Sequence, residues 1–160
     1  MAENLIISQG SKAEKYAVLY PQIKALTENE TDMIANMSNI SSMIHETFGF
    51  WWTGFYRVCE TEDGNRLLVL GPFQGPLACS RIRYGKGVCG TAWAEGRTVV
   101  VPDVDLFSGH IACSSASRSE IVVPVYKKDT IIAVLDIDSA EKDTFDQTDK
   151  EWLEKIVGLL

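Results

Sequence analysis

Residues 119–139 read SEIVVPVYKKDTIIAVLDIDS, two apolar runs separated by a short polar segment. Both runs, residues 120–126 and 130–138, are rich in the β-branched residues that strands favour. The Lys-Lys-Asp segment between them is short enough to connect neighbouring antiparallel strands. This stretch therefore predicts a β-hairpin made of two long and largely apolar strands.

The sequence on both sides of this hairpin shows further helical and strand patterns. Apolar residues at helical spacing predict helices at residues 12–26, interrupted by Pro21, and 32–48, a short helix around Cys89, and a final helix from about Asp146. Strand patterns occur at residues 50–59, 66–70, 80–84 and 98–101. Helices followed by strands and a closing helix indicate an α+β fold, and 160 residues are the length of a single domain, residues 1–160.

Charge and composition narrow the classes of partner. The formal net charge of −7 disfavours a nucleic-acid phosphate backbone or an anionic membrane surface. No stretch approaches the length that spans a bilayer, and the amino terminus lacks the pattern of a secretory signal, so we expect a cytoplasmic protein. In that reducing compartment a disulfide is expected to be transient, and either catalytic or redox-sensing.

Cys113 is the leading candidate for a reactive thiol. It lies in a long polar connection, residues 102–119, and connections of this length inside compact domains are usually functional or disordered. A reactive cysteine needs exposure and nearby positive charge, which His110 and Arg118 offer in sequence. The alternative is a loop cysteine with no chemical role.

The other three cysteines are candidates for different roles. Cys79 follows a flexible Gly-Pro segment, and it is therefore the preferred partner for resolving an oxidised sulfur, whereas Cys89 lies on the predicted short helix. Cys59, at the end of a strand, is expected to be a buried small hydrophobe. The spacing contains no C-x-x-C pair and the sequence has only two histidines, so we expect no structural zinc site.

Carboxylates form a second candidate cluster. Asp136 and Asp138 are two residues apart on a predicted strand, so their side chains lie on the same face, and Glu120 falls roughly opposite in the hairpin. Like charges on one face repel, which holds a proton on one carboxyl near neutral pH. Such a cluster could donate a proton or bind an ammonium group. The alternative is that Asp138 begins a turn and Glu120 is solvated.

Aromatic residues are the third feature. Trp52 and Tyr56 have the same strand parity, so one face could present both rings to a ligand. Aromatic residues at strand spacing are more often part of the core, and we leave both interpretations open for these two residues. We expect Trp51 to lie in the core.

Several motifs together resemble the free methionine-(R)-sulfoxide reductases, which are single GAF domains. They are GPLAC at 75–79, GKGVCGTA at 85–92, Asp103, GHIAC at 109–113, SEIVVP at 119–124 and IAVLDIDS at 132–139. The resemblance implies a GAF-like domain, with a central antiparallel sheet flanked by N-terminal and C-terminal helices. Ala133 departs from the pattern, because a glycine is common at that position in GAF strands.

The resemblance implies a chemistry as well as a fold. It implies that Cys113 is the nucleophile, that Cys79 is the main resolving thiol and that Cys89 is an auxiliary one. The residues implied to line the pocket are Glu120, Asp136, Asp138, Trp52 and Tyr56. The implied reaction reduces free methionine sulfoxide through a sulfenic acid and an intramolecular disulfide, which a thioredoxin-type dithiol then reduces. No metal or organic cofactor is expected, and GAF relatives often form homodimers. The competing function is a GAF-type small-molecule or redox-sensing module without turnover.

Overall fold

The structure is a computed structural model that describes residues 4–111, 113 and 115–160, so Ala112 and Ser114 beside Cys113 lie outside the described residues. The helices are α1 (Lys12–Thr27), α2 (Met33–Phe48), α3 (Gly87–Glu95) and α4 (Gln147–Val157), with a 3-10 turn at Val104–Leu106. The strands are β1 (Trp52–Glu60), β2 (Arg66–Gln74), β3 (Arg81–Arg83), β4 (Val99–Val101), β5 (Ser119–Lys127) and β6 (Thr130–Ser139). No helix in this described part of the chain is long and apolar enough to cross a membrane.

The strands form one six-stranded antiparallel sheet in the order β3-β2-β1-β6-β5-β4. The hairpin of β5 and β6 forms as the sequence predicted, and β6 also pairs with β1. The α+β fold with helices from both ends of the sequence is therefore confirmed.

β2 and α1 continue past residues where the sequence predicted an end or an interruption. β2 continues to Gln74, beyond the predicted end at residue 70, although Gly71 and Pro72 follow. The register with β1 shifts between Gly54 and Tyr56, where Gly71 and Pro72 of β2 stand opposite the single residue Phe55, and such a bulge accommodates a proline that cannot donate a ladder hydrogen bond. In α1, Pro21 lies inside a helix that runs on to Thr27.

The two faces of the sheet are buried by different elements. Phe55, Ile121, Leu135 and Ile137 face a large core that α1, α2 and α4 complete. The opposite face packs against the short helix α3 through a smaller cluster that contains Trp52, Tyr56, Val122 and Val134. Because α3 has only nine residues, it covers less of its face than the three longer helices do of theirs.

Asp149 connects α1 to α4 beneath the larger core. Its side chain is fully buried, accepts a 2.7 Å hydrogen bond from the Tyr16 hydroxyl and pairs with Lys12 Nζ at 2.6 Å. The same carboxylate accepts the backbone N–H of Asp146, and Asp146 caps α4 in return, as the sequence predicted for this helix start. One buried carboxylate thus satisfies donors from two helices.

We expect Asp149→Ala to lower the free energy of unfolding by about 3 kcal/mol, because it leaves Lys12 and the buried Tyr16 hydroxyl without their partner. The matched control is Glu151→Ala, an exposed acid on the same helix, which should change stability by less than about 0.5 kcal/mol. Urea unfolding followed by circular dichroism measures both. Equal effects of the two substitutions would contradict the role assigned to Asp149.

Candidate active site

A cavity with about 40 Å³ of free interior volume opens on the sheet face that packs against α3. The lining residues come from β1, β3, β5, β6, α3 and two loops. Those with functional groups or at the mouth are Trp52, Tyr56, Leu77, Cys89, His110, Ile111, Cys113, Ser117, Glu120, Asp136 and Asp138. Every site residue that the sequence suggested lines this cavity, apart from Cys79, which is bonded to a residue that does.

Cys79 and Cys113 form a disulfide at the mouth of the cavity. They are 34 residues apart in sequence, and their Cα atoms are 5.4 Å apart. Cys79 lies in the loop between β2 and β3, and Cys113 lies in the loop that precedes β5. The pair that the sequence favoured for sulfur chemistry is therefore within bonding distance in the structure.

The two remaining cysteines are free thiols in different surroundings. Cys89 lies in α3, is only 3% exposed and lines the floor of the cavity. Burial raises the pKa of its thiol, and the nearby charges of Asp136 and Glu120 raise it further. Cys59 is partly exposed, so the expectation that it is buried was wrong. The burial of β1 decreases toward the end where Cys59 lies.

The strand register brings the three carboxyl groups together. Glu120 on β5 pairs with Asp138 on β6, which confirms the expected position of Glu120 opposite the end of that strand. Asp136 lies two residues before Asp138 and therefore on the same face. Glu120 and Asp136 are each 6% exposed. A cluster of this kind is too crowded and too dry for three full negative charges.

Burial is the main reason that these carboxyl groups hold protons to higher pH. It raises the pKa of Glu120, which the charge of Asp138 raises further, and it raises the pKa of Asp136, which both neighbours raise further. Burial raises the pKa of Asp138 to about 6, although a hydrogen bond from Ser117 and the neighbouring His110 act in the opposite direction. Proton donors are thus available in the cavity near neutral pH.

Trp52 and Tyr56 form the aromatic wall, which settles the open choice for both: they are buried and they also line the cavity. Their ring centroids are 5.9 Å apart, and Tyr56 donates a 3.0 Å hydrogen bond to the carbonyl of Cys79. Trp52 Nε1 donates to the carbonyl of Pro76 at 3.1 Å. Both aromatic residues therefore hold the loop that carries Cys79.

Trp51 does not lie in the core, contrary to the expectation, since it is 38% exposed. It precedes the first residue of β1, so the alternation that buries side chains along the strand does not apply to it. Its neighbours Phe50 and Trp52 are both buried, on opposite sides of the sheet.

Two glycines make room for Trp52, and sequence reasoning did not identify them. A Cβ atom on Gly54 would lie 2.6 Å from the Trp52 ring and 2.9 Å from the backbone of Phe73. A Cβ atom on Gly75, where φ is +131°, would lie 2.8 Å from Trp52 Cδ1. Glycine inside a strand often marks such a close approach, and this signal was present at Gly54.

In the loop before β5, Ser117 was not identified from the sequence, and the contacts of Arg118 differ from the expected one. Ser117 is buried and donates a hydrogen bond to Asp138 Oδ1. His110 Nε2 lies 3.6 Å from Glu120 Oε2. Arg118, suggested as a partner of Cys113, donates to the carbonyls of Ser115 and Ser117. A loop residue's contacts depend on how the loop folds back over the sheet, which spacing in the sequence does not reveal.

Comparison with known proteins assigns the fold to a family. The sequence profile of the GAF domain family matches residues 32–160. The curved antiparallel sheet between helices agrees with that match. The chain is thus a GAF domain, with α1 preceding the matched range and packing on α2 and α4.

The similar proteins define a narrower group. GAF domain-containing protein A of Dictyostelium discoideum is 54% identical over 160 residues, which are 100% of this chain and 99% of that protein. The free methionine-R-sulfoxide reductase of Escherichia coli (strain K12) is 45% identical, covering 94% of this chain and 88% of that protein. The X-ray structure of the free methionine-R-sulfoxide reductase from Neisseria meningitidis, in complex with its substrate, has a TM-score of 0.92 and 49% identity and covers 98% of this chain and 92% of that one. This chain belongs to the free methionine-R-sulfoxide reductase family of oxidoreductases, as the resemblance implied.

The carboxyl cluster predicts a distinctive pH dependence of stability. The folded protein holds the Asp138 proton up to about pH 6, whereas the usual value for this side chain is near 3.8. Between these pH values the folded state binds more protons than the unfolded chain, so the free energy of unfolding contributed by Asp138 falls as the pH rises. We expect wild type to lose about 1–3 kcal/mol more than Asp138→Asn between pH 4 and pH 7.

Urea unfolding at a series of pH values measures this difference. Asparagine keeps the oxygen that accepts the Ser117 hydrogen bond but cannot ionise, which makes the comparison specific to charge. Asp129→Asn, at an exposed turn between β5 and β6, is the matched control and should follow the wild-type curve. Parallel curves for wild type and Asp138→Asn would show that Asp138 does not carry the dependence.

Proposed function

We propose that this protein reduces free L-methionine-(R)-sulfoxide to L-methionine, with Cys113 as the nucleophile. The observation that carries the proposal is the Cys79–Cys113 disulfide at the mouth of a cavity whose floor holds three buried carboxyl groups. A thiol pair supplies two electrons, and the carboxyl groups supply protons and negative charge. Reduction of a sulfoxide bearing a free ammonium group requires all of these.

The cavity would select the free amino acid by its charge. The pKa of Asp138 is raised to about 6, so Asp138 is ionised at neutral pH and suited to bind the substrate ammonium group. Glu120 and Asp136, whose pKa values burial raises, would supply the proton for catalysis. A peptide-bound methionine sulfoxide has an uncharged amide nitrogen and would leave Asp138 as an unpaired buried charge. Trp52 and Tyr56 would pack against the S-methyl group.

The first chemical step would oxidise Cys113 to a sulfenic acid and reduce the substrate sulfoxide. The Cys113 thiolate attacks the sulfoxide sulfur, and a protonated carboxyl of Glu120 or of the Asp136/Asp138 pair delivers a proton to the departing oxygen. The attack forms a sulfur–sulfur bond, and the protonated oxygen, which takes up a second proton, leaves the substrate sulfur as water. Addition of water to the Cys113 sulfur then breaks the sulfur–sulfur bond, so that methionine leaves, one proton is released and Cys113 becomes a sulfenic acid. The substrate sulfur is reduced by two electrons, and the cysteine sulfur is oxidised by two.

The second step would regenerate the thiols through the disulfide. Cys79 condenses with the Cys113 sulfenic acid, releasing water and forming the bond seen in the structure. Cys89 remains the auxiliary resolving thiol. We propose that a thioredoxin-type dithiol reduces this disulfide by exchange and that the protein works in the cytoplasm, where such reductants are maintained. Residues 1–160 would act as one catalytic domain, and we propose a homodimer as the assembly to test by light scattering.

The two cysteine roles predict different single-turnover behaviour. Without reductant, wild type should release one equivalent of methionine per protein, because the sulfenic acid forms once. Cys113→Ser should release none. Cys79→Ser should still release one equivalent, but with a dithiol present its steady-state rate should fall at least about tenfold, because the favoured disulfide is missing. Chromatography of free methionine measures each value.

Cys59→Ser is the matched control, since this thiol lies away from the cavity and should behave as wild type. Peptide mapping of oxidised Cys79→Ser shows whether Cys89 then pairs with Cys113. A folded and reduced wild-type protein that consumes neither epimer of free methionine sulfoxide would instead support a binding or redox-sensing module. Turnover of both epimers would contradict the stereochemical part of the proposal.

The charge argument predicts strong discrimination at the substrate amino group. We expect kcat/KM for N-acetylmethionine sulfoxide to be about 100-fold lower than for the free amino acid, because acetylation removes the charge that pairs with Asp138. In Asp138→Asn this ratio should shrink toward one, mainly through loss of activity on the free amino acid. An unchanged ratio in the variant would indicate that a carboxyl group other than Asp138 binds the substrate ammonium group.

A further inference from the structure

Three buried side chains on the cavity floor have the donor atoms of a metal site. Cys89 Sγ and one carboxylate oxygen each from Glu120 and Asp136 all lie within 4.8 Å of one another. They come from three different elements, α3, β5 and β6, so their proximity depends on the packing of α3 onto the sheet. The expectation of no zinc site considered cysteine and histidine spacing, and it therefore did not include this mixed set.

The donor set suits a soft or borderline divalent cation. A thiolate with carboxylates binds Zn²⁺, or the softer Cd²⁺, and disfavours Mg²⁺ and Ca²⁺, which prefer oxygen alone. Neighbouring donors in a tetrahedral zinc site are about 3.5 Å apart, given bond lengths of about 2.0–2.3 Å. Side-chain rotations close the remaining gap. The fourth position is left to water or to His110 Nε2, which is 3.6 Å from Glu120 Oε2.

A second observation also indicates a ligand at this place. Among the described residues, Asp136 Oδ1 is buried without a hydrogen-bond partner, although the residue is only 6% exposed and lines the cavity. A buried carboxylate oxygen without a donor is unfavourable, and it is normally satisfied by a cation or a bound group. A divalent ion would satisfy it and would replace the protons that Asp136 and Glu120 otherwise hold.

We propose that Cys89, Glu120 and Asp136 bind one Zn²⁺ or Cd²⁺ ion, and that this ion and free methionine sulfoxide exclude each other. The exclusion rests on the proposed function, because the ion would occupy Glu120 and Asp136, the carboxyl groups that protonate the sulfoxide oxygen in that mechanism. Its two positive charges would also lie next to Asp138, which binds the substrate ammonium group in the same mechanism. Divalent metal would therefore be a competitive inhibitor, and Cys89, which lies outside the disulfide, would be its anchor.

The test uses the protein in its Cys79–Cys113 disulfide form. This removes the dithiol, which would itself bind zinc, and it leaves Cys59 and Cys89 as the remaining thiols. Titration with CdCl₂ should produce the ultraviolet charge-transfer band of a cadmium–thiolate bond, saturating at one equivalent. Calorimetry with ZnCl₂ should give the same stoichiometry. Neither measurement involves turnover, so its outcome is independent of whether the protein reduces methionine sulfoxide.

Two matched serine variants distinguish the proposed site from adventitious thiol binding. Cys89→Ser should abolish the cadmium band and weaken zinc binding at least about 100-fold, since even loss of a group that only supports a ligand costs 10–100-fold. Cys59→Ser should bind both ions as wild type does. Asp136→Asn, folded by circular dichroism, should weaken zinc binding without removing the cadmium–sulfur band. Retention of wild-type binding in Cys89→Ser, or its loss in Cys59→Ser, would overturn the site.

Competition tests the second half of the proposal. Adding free methionine sulfoxide to the disulfide form should raise the apparent Kd for Zn²⁺ in proportion to the substrate concentration. Adding the N-acetyl derivative should have a much smaller effect. If zinc binds through Cys89 but methionine sulfoxide leaves its Kd unchanged, mutual exclusion is wrong. In that case a turnover assay without metal still decides the proposed function separately.

Discussion

The antiparallel register of β1, β6 and β5 is the constraint on which the site depends. Trp52 pairs with Asp138, and Asp138 pairs with Glu120, so one row across three strands carries an aromatic ring and two carboxyl groups. Side chains alternate between faces with a period of two, and a slip of one residue would move this row to the other face of the sheet. The apolar residues between them, such as Ile121 and Ile137, would then face the cavity instead.

The larger core, on the opposite face of the sheet, therefore fixes the strand register that positions the site. Ile121, Leu135 and Ile137 are fully buried against α1, α2 and α4, and they alternate along the strands with the residues that face the cavity. A register slip would expose these side chains, at a cost of roughly 1.5–3 kcal/mol for each. That cost opposes any electrostatic relief that separating the carboxyl groups would give. Hydrophobic burial on one face thus holds mutually repelling groups together on the other.

The parts of the site that the sequence predicted are those that follow from strand geometry. The shared face of Asp136 and Asp138 needs only the two-residue period, and the position of Glu120 needs only a hairpin with a short turn. The close approach of Gly75 to Trp52, the hydrogen bond from Ser117 to Asp138 and the approach of Cys89 to the carboxyl groups each join segments far apart in the chain. No local pattern encodes such contacts, because they depend on how α3 and the loops pack on the sheet.

Two wrong predictions, for Trp51 and for the end of β2, also arise because a local pattern does not include contacts with other elements. Trp51 was expected in the core because aromatic residues at strand spacing usually are, but it precedes the first residue of β1 and is partly exposed. The predicted strand ended at residue 70, and this end was wrong because a bulge at Gly71 and Pro72 lets the pairing with β1 continue to Gln74. In both cases the actual bounds of the strand, which depend on its pairing with other strands, determine the result.

In the proposed mechanism, three carboxyl groups meet two incompatible demands that fewer could not meet. Binding an ammonium group requires a negative charge at neutral pH, whereas protonating a departing oxygen requires a carboxylic acid. A single buried carboxyl has one pKa and is either charged or protonated. The cluster separates the tasks, because Asp138 is less buried and is stabilised by Ser117 and His110, while Glu120 and Asp136 are deeper. Glu120 and Asp136, the two deeper carboxyl groups, also lie close to Cys89. The side chains that hold protons in the proposed mechanism are therefore the same ones that would bind a thiophilic divalent ion.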